Sequence, residues 1–117
     1  MNYGEVVNRL LTRYKLILGV KEEVKVKIRR YKTRTAFVDL KSKIIYINRD
    51  LLDLGEDVIE YLLLHELLHI KLREKHHTAR FYAILHFFIP EEKVNEIKEK
   101  IIKKLIKMNK NNLRNNN

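Results

Sequence analysis

From Val58 to Leu72 the chain is apolar almost without a break. Val58, Ile59, Tyr61, Leu62, Leu63, Leu64, Leu67, Leu68, Ile70 and Leu72 leave nearly no polar face before Lys71. A helix that is apolar nearly all round cannot lie on a surface; its neighbours must enclose it. In a chain of 117 residues, short enough for one domain, that helix belongs at the centre. What interrupts the run is His65, Glu66 and His69. Burying three such side chains without partners is costly, so their presence needs a reason.

The spacing supplies one. Residues four apart lie one helical turn apart on the same face, so His65 and His69 can aim two imidazoles at one point, as a zinc ion requires. Glu66 sits beside that face, where a carboxylate can take a proton from a metal-activated water and pass it to a leaving amine. The competing reading makes the histidines ordinary core residues and the glutamate a helix former. Three matching residues in one apolar run favour the metal site, with the helical context as its confirmation.

Composition narrows the ligand set. The chain has no cysteine, so disulfides and thiolate sites are excluded and a metal must use His, Asp or Glu. No signal-peptide series opens the sequence, and no apolar run reaches the length of a membrane span, so the expectation is a cytoplasmic protein. The formal charge is +10. The basic residues are spread over most elements without exposed aromatics between them, which argues for solubility over a nucleic-acid platform.

Along the chain, Asn2 caps an amphipathic helix that carries Tyr3, Val6, Val7, Leu10, Leu11, Tyr14, Leu16, Ile17 and Leu18 and stops at Gly19. Period-two alternation predicts a strand over 24–29, and turns near 32–34 and 41–42 set off two more short strands over 35–40 and 43–48, antiparallel to each other. Thr35 to Val38 is the candidate rim on which an extended peptide could add as a further strand. Asn48 ends the third strand and caps a short turn, Gly55 breaks it, and Glu56 and Asp57 open the central helix with negative charge at its positive end.

Two histidines leave a catalytic zinc site one protein ligand short. A histidine six residues after His69, past a glycine, is ruled out, because those places hold Lys75 and Leu72. Helical periodicity selects His77, four residues before Phe81 and seven before Ile84, with His76 as the alternative. Glu91, Glu92 and Glu96 are the acidic candidates beyond Pro90. His86 and Tyr82 are candidates for stabilising an oxyanion.

His65-Glu66-Leu67-Leu68-His69 followed by His77-Thr78-x-x-Phe81 resembles the pattern of small zinc metallopeptidase domains of the SprT-like and YgjP-like kind. Ile45-x-Ile47-Asn48-x-x-Leu51-Leu52 also resembles their strand and turn before the active-site helix. In length and layout the chain is most similar to the minigluzincin group of soluble peptidases, over residues 35 to 90. The resemblance implies a compact gluzincin-like α+β fold, one zinc ion per chain on His65, His69 and His77, and Glu66 as general base and acid in peptide-bond hydrolysis. It also implies latency imposed by the C-terminal segment.

That segment begins at Pro90. Val94, Ile97, Ile101, Leu105 and Met108 recur at helical steps opposite a lysine-rich side. The expected organisation is a minimal metallopeptidase domain over 1–90, an amphipathic helix over 91–108 serving latency or homodimerisation, and a disordered tail over 109–117. The expected partner is a peptide or protein substrate. The alternative function, from another class, is a basic nucleic-acid-associated SprT-like module acting on or near protein–nucleic acid complexes. It would show salt-sensitive nucleic-acid binding.

Overall fold

The computed structural model describes residues 2–115, with side chains through residue 110. Its elements run in the order α1 (Tyr3–Leu18), β1 (Lys25–Arg29), β2 (Ala36–Asp39), β3 (Ile44–Asn48), a 3-10 turn (Arg49–Leu54), α2 (Glu56–Leu72), α3 (Ala79–Phe88) and α4 (Glu91–Asn115). This is the expected small α+β arrangement, with α2 packed against α1, α3, α4, β2, β3 and the 3-10 turn. Eleven of its residues are buried, from Val58 to Ile70, and Ile59, Leu63, Leu64, Leu67 and Leu68 have no exposure at all.

The three strands lie in the order β1-β3-β2. β2 pairs antiparallel with β3, with Phe37 opposite Tyr46, while β1 pairs parallel with β3. β2 is therefore an outer strand. The inward side chains of the central strand, Ile45 and Ile47, are fully buried beneath the sheet. On the outer face Tyr31, Phe37 and Tyr46 form an aromatic row, with Phe37 stacked on Tyr46 at 4.8 Å between centroids.

Asn48 does more than end β3. Its side-chain nitrogen donates to the carbonyls of Tyr31 (3.0 Å) and Arg34 (2.8 Å), and its side-chain oxygen accepts from the Asp50 amide (3.1 Å). Although fully buried, it thus fills its hydrogen bonds and ties the β1–β2 connection to the start of the turn. Gly55 follows at φ 131°, a conformation L side chains rarely adopt, and a Cβ there would stand 2.8 Å from Asp57 Oδ1.

α1 is capped as expected. The Asn2 side chain accepts from the Glu5 amide, and Gly19 closes the helix in the left-handed region. The Tyr14 hydroxyl donates to Glu60 on α2 at 3.0 Å. Burial, followed by the Glu60 charge and this hydrogen bond, pushes the Tyr14 hydroxyl up to about 12. The buried stripe is Val7, Leu10, Tyr14 and Leu18. Leu16 (82% exposed) falls off that line at 3.6 residues per turn, while Ile17 (51%) stands at the edge of the stripe and stays exposed.

α4 corrects the expected boundaries. Pro90 stands one residue before the helix, its carbonyl accepting from the Val94 amide. The helix continues through Asn115, so residues 109–115 of the expected tail are helical. Residues 116–117 of that tail lie outside the described residues. Val94, Ile97 and Ile101 are buried in the common core. The first half of α4 is thus part of the domain that was expected to end at residue 90. Lys93 (3.0 Å) and Lys100 (3.5 Å) both pair with Asp57 at the start of α2.

Candidate metal centre

α2 presents His65 and His69 on one face, with ring centroids 5.2 Å apart. The third histidine arrives from the connection between α2 and α3. α2 stops at Arg73, a non-glycine residue at φ 55° whose amide bonds back to the carbonyls of His69 and Ile70. The chain then doubles back, and the Glu74 amide bonds to the His69 carbonyl. Thr78 caps α3 by accepting from the Phe81 amide at 3.2 Å. His77 immediately precedes that cap, so it lies outside the helix on which its selection was argued. The bend of the chain, not the period of α3, brings its Nε2 to 3.1 Å from Nε2 of His69.

Among the described residues, His65, His69 and His77 form the group of metal-capable side chains, with one nitrogen from each within 4.8 Å of the others. His76 and the three glutamates of α4 named above are not part of it.

The tautomers suit a cation. His69 Nδ1 lies 2.8 Å from the carbonyl of Glu74, which can only accept. That nitrogen therefore carries the proton, and Nε2 is a bare lone pair. His65 Nδ1 lies 2.8 Å from Oε2 of Glu66, and the neutral tautomer that donates there keeps Nε2 available to a cation. Such partners on the far nitrogen fix the ring and raise its basicity as a ligand. This donor set fits zinc without cysteine.

Phe81 is the floor of the cluster. It is fully buried, and its centroid lies 5.0 Å from His65, 4.9 Å from His69 and 4.8 Å from His77. In the sequence Phe81 stood out as a stripe residue and as the aromatic of the resembled pattern, not as a floor beneath the histidines. Partial burial, then the charges of His65 and His69, lower the His77 pKa and favour its neutral form.

Cavities open on both sides of the triad. One of about 200 Å³ is lined by Phe37, Val38, Leu40, Glu66, His69 and Lys75, so it runs from the outer strand β2 to the buried carboxylate. The other, of about 630 Å³, carries His65, His77, Tyr61, Tyr82 and His86, with the first turns of α4 as its far wall. Burial, then the charges of Glu66 and Tyr82, push the Tyr61 hydroxyl up to about 12, so it stays protonated. Tyr61 was read only as an apolar residue. Its position four before His65, on the same helical face, was the available signal.

The signature of the YgjP-like metallopeptidase domain covers residues 2–114 of this sequence. The chain belongs to the YgjP-like metallopeptidase family. Two solved structures share the fold. The metallopeptidase zymogen abylysin of Pyrococcus abyssi is 36% identical, with a TM-score of 0.76 over 85% of this chain and 94% of that one. The metallopeptidase zymogen jannalysin of Methanocaldococcus jannaschii is 26% identical, with a TM-score of 0.75 over 90% and 98%. An uncharacterized protein of Aquifex aeolicus is 44% identical over 68 residues, which are 57% of this chain and 62% of that protein. An uncharacterized protein of M. jannaschii is 29% identical over 103 residues, 87% and 90% of the two chains.

This YgjP-like chain is thus a metallopeptidase, as the resemblance implied, and a minigluzincin-like one in its structural neighbours. No helix among its described residues is long and apolar enough to cross a membrane.

Proposed function

We propose that this metallopeptidase is a zinc-dependent endopeptidase that binds one zinc ion through His65, His69 and His77 and uses Glu66 as general base and acid. The observation that carries the reading is the convergence of three imidazole nitrogens within 4.8 Å beside a buried carboxylate. His65, His69 and His77 would hold the zinc, which would supply a bound water of pKa about 7 and polarisation of the scissile carbonyl. Glu66 faces the β2-side cavity, where its carboxylate takes a proton from the attacking water as the new carbon–oxygen bond forms. It returns that proton to the amine nitrogen as the carbon–nitrogen bond breaks.

The outer position of β2, with Phe37 and Val38 on the cavity that holds Glu66, supports the rim assigned to Thr35–Val38. A peptide adding there as a strand would be led across the triad toward α4.

Elemental analysis of the wild-type chain, His77→Ala and His76→Ala tests the site. One zinc per chain, lost in His77→Ala and kept in His76→Ala, is the expected result. Zinc lost only in His76→Ala moves the ligand by one residue. Glu66→Gln should keep the zinc and abolish cleavage, and activity near wild type would remove Glu66 from its role.

Latency is the second part of the proposal, supported by the zymogen neighbours. Because Val94, Ile97 and Ile101 are core residues, the covering segment is assigned to the later part of α4, where Ile102 and Ile106 are exposed. It would cover its own cleft or that of a second copy in a homodimer. A chain ending after Leu105 should fold and cleave faster than the full chain; folding with no gain in rate removes latency from the reading.

A further inference from the structure

Hydrolysis puts two oxygens on the tetrahedral carbon. One comes from the water and stays with Glu66. The other is the former carbonyl oxygen, which gains a full negative charge and needs a donor of its own. Glu66 and His69 open into the cavity on the β2 side, whereas His65 and His77 open into the cavity on the α4 side. A donor for the second oxygen therefore has to stand on the α4 side, within reach of the triad but away from the water.

Five groups there can donate: Asn95 and Lys98, both exposed on the α4 wall, and the ring donors Tyr61, Tyr82 and His86. His86 engages the Ile89 carbonyl through Nδ1 at 3.2 Å and stacks on Tyr82 rather than on the triad. Tyr82 is 41% exposed and meets the cluster only at His77, 6.0 Å between centroids. Tyr61 differs from both. It stands one helical turn before His65 on the same helix, with ring centroids 5.7 Å apart, and the residue is only 6% exposed. Tyr61 lines the cavity, and its hydroxyl makes no hydrogen bond to another described group.

We propose that the Tyr61 hydroxyl is a catalytic hydrogen-bond donor to the oxyanion of the tetrahedral intermediate. The inference rests on the peptidase reading above and assigns to that site a residue outside the His-Glu-x-x-His motif. Burial of the ring between α2 neighbours holds the donor in place before substrate arrives, and a preset donor costs no reorganisation when charge develops.

The test is Tyr61→Phe in the full chain loaded with zinc, beside Tyr82→Phe. Zinc content and melting temperature should match wild type, since only one hydroxyl is removed. The rate constant kcat should fall about 100-fold or more with KM little changed. Binding of a phosphinic peptide, a tetrahedral analogue measured by calorimetry, should weaken by about the same factor, while a product peptide binds as before. Tyr82→Phe should change both by less than threefold. An unchanged analogue affinity in Tyr61→Phe, an equal loss for analogue and product, or a large loss confined to Tyr82→Phe overturns the assignment. A wild-type chain that holds zinc yet binds no phosphinic peptide, both at full length and when ended after Leu105, overturns the peptidase reading, and the assignment with it.

Discussion

His69 Nδ1 donates to the carbonyl of Glu74 at 2.8 Å, and the residue that aims that carbonyl is Arg73, the left-handed cap of α2. The helix end thus orients the histidine in its own last turn. Partners of this kind typically govern metal affinity by about 10–100-fold. Arg73→Gly keeps the left-handed turn and should retain zinc at wild-type affinity. Arg73→Val resists positive φ and should weaken zinc binding by about tenfold or more, measured by competition with a chelating dye.

Phe81 supports all three imidazoles from beneath. Phe81→Ala should cost about 3–5 kcal/mol of stability, the usual range for emptying a buried aromatic site. Phe81→Leu should cost less yet still weaken zinc binding, because the rings lose a flat floor. Denaturant unfolding of the apo and zinc-loaded forms separates the two effects.

Asn48 completes three hydrogen bonds in a fully buried position. Asn48→Ala leaves two carbonyls and an amide without their partners, for an expected loss of about 2–4 kcal/mol. Asn48→Asp should also destabilise, since a carboxylate cannot donate to the Tyr31 and Arg34 carbonyls. Stability above that of the alanine variant would contradict this account.

Asp57 joins the starts of α2 and α4. Burial alone would raise its pKa, but the hydrogen bond from Lys93 and the charges of Lys100 and Lys93 outweigh it and hold the carboxyl below its usual value. A folded pKa below the unfolded one contributes stability that is present above about pH 4 and is lost as pH falls through the folded value. Asp57→Asn should therefore lower the melting temperature slightly at neutral pH, and its melting temperature should fall less than wild type's as acid is added below about pH 4. Parallel acid profiles for the two proteins would rule the contribution out.

Periodicity carried much of the architecture. The helical period placed His65 and His69 on one face, the all-round apolar character of 58–72 put α2 at the centre, the period-two run marked β1, and turn-bounded short runs marked β2 and β3. Asn2, Gly19, Asn48 and Gly55 marked their turns because capping and positive φ are local demands that residue type reveals. These features depend on neighbours within a few residues, so the sequence alone determined them, together with the family.

Tertiary structure decided what depends on distant chain meeting. That His77 reaches His69 follows from the fold-back at Arg73 and the Thr78 cap, not from the period of α3. That β1 lies parallel beside β3, leaving β2 at the rim, depends on how the chain crosses between strands. Leu16 and Ile17 carry an apolar signal but find no neighbour, whereas Val94, Ile97 and Ile101 bury themselves in the domain they were expected to follow. Tyr61 read as ordinary core and Phe81 as a stripe residue because apolar content alone cannot tell which faces of a buried ring meet a histidine or a cavity. Burial is a property of the assembled layers, and only those layers decide which rings line a cavity.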